Sequence, residues 1–327
     1  MVTFYRDKSI AAIIALIFLC VLVHTHFFFA TPQVVVSDDD GVLSYLLSKY
    51  TQYVNTNFIF IIYCILLLIQ AIRLNIALND AKMFYSADYT VAMTYILLSS
   101  FIPQWCSLTP AMIANTFVIW IFLKLIRLYN NASPKTLLFN IGLIIGITIL
   151  CYHPTAILIL VALFALAVVR PFRFSEWLVL ITGIITPYYI LFTVLFLTDN
   201  WNMLFHFLPD LQWNIPLKQF DMWTFIEAGI LFILLVLGFI QWMPVNNRMI
   251  IQIRKNWSVM FVLLCILIPI PFIFQNAGIQ AAFLWIIPLS AFIANFFSVP
   301  KKLWFPNFFF WIVIVIIIHN NLQLIKI

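Results

Sequence analysis

Arg6-Asp-Lys-Ser-Ile10-Ala-Ala-Ile-Ile-Ala-Leu-Ile-Phe-Leu-Cys-Val-Leu-Val-His-Thr-His-Phe-Phe-Phe-Ala30 places two cations ahead of a run with no charged side chain. About 20 mostly apolar residues are what one helix needs to cross a hydrocarbon layer. A cleaved leader also begins with cations before an apolar core, but that core is shorter. A cut after Ala30 would also set bulky Phe28 where a small residue is required. The stretch therefore reads as a retained first span. Ten further apolar segments follow, so that the set lies near 10–30, 54–72, 89–102, 111–128, 136–152, 155–169, 177–197, 224–242, 258–274, 278–298 and 307–325. Over the 327 residues, 65% are hydrophobic and 9% charged, with a mean hydropathy of +1.09. A soluble domain carries about a quarter charged residues. A membrane β-barrel would show short alternating segments instead. The expected fold is an all-α polytopic transmembrane helix bundle of about 11 spans, forming a single transmembrane domain over 1–327. Segments 89–102 and 155–169 are short enough for re-entrant or buried helices.

Sorting the 17 lysines and arginines onto alternate sides puts fourteen on one side and three (Lys49, Lys218 and Lys326) on the other. Cytoplasmic loops are enriched in such residues, so the N-terminus is expected in the cytoplasm and the C-terminus outside. The net charge of +6 is then topogenic, with membrane lipids as partners and no nucleic acid. The basic loops are short and contain neither GxxxxGK[ST] nor GxGxxG, so a cytoplasmic nucleotide-driven reaction is not expected. Arg170-Pro-Phe-Arg-Phe-Ser-Glu-Trp177 reads as an anchoring inner turn, able to meet anionic headgroups, and Asp80, Lys82 and Asp88 read as solvated. Ion-coupled transporters usually carry intramembrane charges, and only Glu227 qualifies.

Chemistry, if present, belongs to the outer face. The outer loop 31–53 contains Ser37-Asp38-Asp39-Asp40, followed by Val42, Leu43, Leu46, Leu47 and Tyr50 at helical spacing. This predicts a surface helix whose start is capped by Ser37 and Asp40. Capping needs one carboxylate. Three together also suit a divalent cation, held by Asp38 and Asp40, or a general base. The second outer loop, 198–223, carries Trp201, His206, Trp213 and Trp223. Such residues form an interfacial aromatic belt, and equally a stacking surface for a sugar. All five histidines (His24, His26, His153, His206 and His319) fall toward this side. His24 and His26 would point about 200° apart on one helix, which argues against a shared metal. His153, in Cys151-Tyr-His-Pro-Thr155, is either a turn residue or a partner of the acidic cluster. The five cysteines form no CxxC; Cys106 and Cys151 are both near the outer side.

One span, then an acidic cluster and a surface helix in the first outer loop, resembles the layout of the GT-C integral-membrane glycosyltransferases. Asn140 to Leu197, with Tyr-His-Pro, Arg-Pro-Phe-Arg-Phe-Ser-Glu-Trp and Thr-Pro-Tyr-Tyr, is similar to an uncharacterised family of Bacteroidetes polytopic inner-membrane proteins. These resemblances imply a multi-pass protein of the bacterial inner (cytoplasmic) membrane that moves a sugar from a polyprenyl-phosphate lipid at the outer face. Asp38, Asp39 or Asp40 would then be the base or the metal site, with His153 assisting. Trp201, His206, Trp213 and Trp223 would line the substrate groove, and the sole cofactor would be a divalent metal ion. The chain shows no second outer catalytic motif. A non-catalytic subunit bound to other envelope membrane proteins therefore stands as the alternative, and a lipid or polysaccharide transporter as a third.

Overall fold

Ser9 and Thr109 each precede an apolar run, and each accepts a hydrogen bond from the backbone N–H three residues on, at 3.2 Å. A side-chain oxygen there satisfies one of the donors a helix start leaves open. Pro110 and Pro134 occupy first helical positions, where the missing N–H costs nothing. The computed structural model describes residues 1–36, 41–54, 56–129, 131–201, 207–209 and 222–326. In chain order its helices are α1 (Val2–Arg6), α2 (Ile10–Val23), α3 (Val42–Tyr50), α4 (Thr56–Asp80), α5 (Thr90–Ser99), α6 (Pro110–Leu125) and α7 (Pro134–Cys151). They continue with α8 (Leu158–Val169), α9 (Phe174–Leu197), α10 (Met222–Asn246), α11 (Ile251–Leu267), α12 (Ile270–Ile273), α13 (Ile286–Ser298) and α14 (Trp304–Lys326). Among the described residues the only β pairing is an isolated bridge between Val34 and Leu108.

Among the described residues, eight helices are long and apolar enough to cross a membrane by themselves. The other three predicted segments form shorter apolar helices, Ile10–Val23, Thr90–Ser99 and His153–Val169. The first stops early because the chain tightens into a 3-10 turn at Thr25–Phe28. Every residue of α5 is buried, so this helix is sheathed by protein and has no lipid thickness to match. The segment Gly278–Ser298 is also central, with 89% of its apolar window buried. Glycines set a close helix contact between α7 and α9. A Cβ on Gly142 would stand 2.4 Å from Leu180 O, and one on Gly183 would stand 2.5 Å from Phe139 O. Membrane helices use such small residues to bring backbones together.

The bundle has two chemically different ends. At one end Arg6 donates to Phe297 O at 2.8 Å, closing the end of α13. Asp88 is fully buried beside it, against the expectation of a solvated loop residue. Its carboxylate accepts from Thr90 N, Thr90 Oγ1 and Ser298 Oγ, so it caps α5 and ties that helix to α13. Burial pushes the Asp88 carboxyl above its ordinary pKa, while those hydrogen bonds and Arg6 pull it back. Arg170, set in the same basic part of the chain, is spent internally on Glu176 at 3.0 Å and Leu128 O at 3.2 Å. The opposite end carries the described histidines. His24 and His26 lie with ring centroids 6.1 Å apart. The 3-10 turn breaks the helical geometry that would have set them on opposite faces.

Candidate functional site

At the histidine end the segment after the 3-10 turn lies along the loop that precedes α6. Val35 N donates to Leu108 O at 3.3 Å and Leu108 N to Gln33 O at 3.0 Å. Between these strands of chain, the 3-10 segment Gln275–Trp285 and the end of α14 there is a cavity of about 370 Å³. His26, Gln33, Gln104, Cys106, Ser107 and Gln280 supply its polar lining, with Phe27, Val35, Pro103 and Leu324 among the apolar walls.

Behind it lies a buried polar knot joining three helices and a loop. Asn320 Nδ2 donates to Glu227 Oε1 at 2.6 Å and to Phe101 O at 2.8 Å. Trp223 Nε1 donates to Asn320 Oδ1 at 2.9 Å. Asn321 Nδ2 donates to Val23 O at 2.9 Å, which also accepts from Ser100 Oγ at 3.1 Å. Glu227 is fully buried. Among the described residues, Gln104 Oε1 and Glu227 Oε2 have no hydrogen-bond partner, and the two ring nitrogens of His26 share only the neighbouring Asn321 amide. Each such group costs about 1–3 kcal/mol when left dry, and several at one spot mark a place built to meet a polar guest or water.

The electrostatics narrow the guest. Among the described residues, no lysine or arginine lines the cavity. Burial lowers the His26 pKa to about 4, the neighbouring Asn321 amide acting the other way, so its imidazole is neutral at pH 7. Burial raises the Cys106 thiol to about 12, with the Glu227 charge adding to the rise and a hydrogen bond to Ser100 opposing it. That thiol stays protonated and is no nucleophile. Neutral amides, an imidazole and a hydroxyl suit a hydrogen-bonding guest without negative charge, such as a sugar or polyol, and leave a phosphate unneutralised.

The residues expected to act divide in two. Asp38, Asp39, Asp40, His206 and Trp213 lie outside the described residues, so the proposed cap, base and metal site do as well. The triplet is bracketed in the chain by Val35, in the cavity wall, and Gly41. Gly41 has a φ of 112°, and a Cβ on it would meet Cys151 O at 2.8 Å. Only glycine accepts both that torsion and that closeness. It seats the start of α3 on the end of α7, two residues before buried His153. Within α3 the buried residue is Ser44, Leu46 and Tyr50 are exposed, and Val42, Leu43 and Leu47 are half-buried, Leu47 packing against the core. Trp201 is half-exposed. Trp223 is committed internally, its N–H to Asn320 and its ring against His319 at 4.2 Å. Cys106 and Cys151 are both free thiols. Among the described residues no group of three His, Cys, Asp or Glu is placed to hold a metal. The sequence reading missed Gln33, Gln104 and Asn320. The visible signal was His319-Asn-Asn321, three polar residues in succession inside an otherwise apolar helix.

Fold and site together define a multi-pass helical membrane protein with a neutral polar cavity at one end. The chain belongs to DUF6427, a family of unknown function, whose profile matches residues 18–327. No curated protein and no solved structure matches it.

Proposed function

We propose that this membrane protein binds the hydroxyl-rich head of a lipid-linked molecule in the cavity at its histidine end. The head group is a glycosyl unit presented for transfer from a polyprenyl-phosphate carrier. The observation that carries this reading is the cavity itself: amide, imidazole and hydroxyl groups with uncommitted hydrogen-bonding atoms, no cation among the described lining residues, and apolar walls beside them. Sugars are recognised by such planar polar groups, because each hydroxyl both donates and accepts. The carrier phosphate belongs outside this cavity. Asp38–Asp40, as base or as holders of a divalent cation, are the residues to which the transfer step is assigned, with His153 as its assistant.

The test is native mass spectrometry of the protein extracted gently from its own membrane. A retained glycolipid is expected in the parent chain, and its loss in Gln104→Leu and in His26→Phe. Replacement of Asp38–Asp40 by Asn should keep the lipid and abolish turnover. No glycolipid on the parent chain, or equal retention by the cavity variants, would overturn the reading. A stoichiometric companion protein in its place would favour the accessory-subunit alternative.

A further inference from the structure

On α4, Ile62, Ile65, Ile69 and Ile76 recur at spacings of three, four and seven and are 48%, 52%, 51% and 40% exposed. Such a stripe is the lipid-facing side of a spanning helix. Arg73 belongs to the same stripe and is exposed. It lies seven residues before the end of the helix at Asp80, about 10 Å along the axis. A charge facing hydrocarbon is costly unless it is paired or reaches water, and among the described residues no acidic side chain pairs with Arg73.

What surrounds it is a cavity of about 230 Å³ between α4 and α6, lined by Ile69, Gln70, Arg73, Thr116, Trp120 and Leu123 among others. Gln70 is fixed there: its Nε2 donates to Met112 O and Thr116 Oγ1, and its Oε1 accepts from Tyr95 Oη at 2.8 Å. Thr116 Oγ1 is held as an acceptor and keeps its own hydrogen for a guest. Lys124 sits over the ring of Trp120 at 5.8 Å, bringing a second cation to the rim. The pocket thus offers a guanidinium fork, a hydroxyl donor and an interfacial tryptophan, with a file of isoleucines leading from it along the helix.

We infer that this cleft is a binding site for one anionic phospholipid, its phosphate on Arg73 and Thr116, its headgroup against Trp120 and Lys124, and an acyl chain along Ile69, Ile65 and Ile62. The site is separate from the polar cavity, being at the basic end of the bundle, and does not depend on the function proposed for that cavity. Arg170 does not compete for the role because Glu176 and backbone carbonyls occupy it.

The experiment is native mass spectrometry of the full chain titrated with phosphatidylglycerol, phosphatidylcholine or inorganic phosphate. The parent chain should keep one phosphatidylglycerol in preference to phosphatidylcholine. Arg73→Gln should weaken that retention about fivefold or more, the contribution of one cation at a membrane surface. Arg73→Lys, which keeps the charge without the fork, should fall between. Arg248→Gln, an exposed cation at the same end outside the cleft, should change nothing. Melting temperatures of the lipid-free variants, expected to be equal, separate loss of binding from loss of fold. Equal retention by Arg73→Gln, equal loss in Arg248→Gln, or displacement of the lipid by inorganic phosphate would each overturn the assignment. Equal retention would leave Arg73 as a side chain that reaches the headgroup water alone.

Discussion

Replacing Asn320 by Leu tests the polar knot that underlies the candidate site. The two side chains are close in size, so the change removes hydrogen bonds with little change in packing. Three bonds disappear: to Phe101 O, to Glu227 Oε1 and from Trp223 Nε1. Glu227 is fully buried, its Oε2 has no partner among the described residues, and the substitution removes the amide that holds its Oε1, so the carboxyl is stranded save for Trp223 beside it. Phe101 O is stranded too, whereas half-buried Trp223 is nearer relief. At about 1–3 kcal/mol for each buried group left unpaired, the two together cost about 4 kcal/mol. The neighbouring Asn321→Leu is the built-in comparison. It removes one bond, to Val23 O, and that carbonyl keeps Ser100 Oγ, so about 1 kcal/mol is expected. Unfolding midpoints in mixed detergent micelles should therefore rank the parent above Asn321→Leu and that variant well above Asn320→Leu. An Asn320→Leu protein as stable as Asn321→Leu would refute the view that Asn320 holds the knot together.

Three further outcomes are expected. Gly142→Ala should lower stability by about 1–3 kcal/mol, because the new Cβ meets backbone at 2.4 Å, while Gly229→Ala, with nothing within 4 Å, should be neutral or mildly stabilising in the same thermal melts. Asp88 has a raised pKa, so its share of stability is fullest in acid and is lost as pH rises through its folded value. Asp88→Asn should remove that slope from stability measured as pH rises above the ordinary carboxylate range. His26 has a lowered pKa, so its share is present above the ordinary histidine value of about 6.5 and falls away toward about 4; His26→Phe should blunt acid destabilisation across that interval.

The contrast between Trp223 and Asp88 shows how far local sequence reaches. Trp223 reads as a belt residue from its position beside an apolar run, and position along the chain cannot say that Asn320, nearly a hundred residues on, takes its N–H. Asp88 stands in a polar stretch, Asp80 to Asp88, which reads as water-exposed. Its burial follows from Ser298 and Arg6, contributed by remote helices. His24 and His26 misled for a local reason: the apolar run continues through Phe27–Ala30, concealing the point where the α-helix tightens into a 3-10 turn.

Hydrophobicity is additive along the chain, so the amino-acid order alone determined that this is a helical membrane protein and where its apolar segments lie. Hydrogen bonds and cavities are relations between distant segments. Only the tertiary structure could therefore decide that Glu227, Asn320, Asn321 and His26 meet at one end. It alone set Arg73 facing outward from a cleft on α4, and it alone drew α7 onto α9 at Gly142 and Gly183.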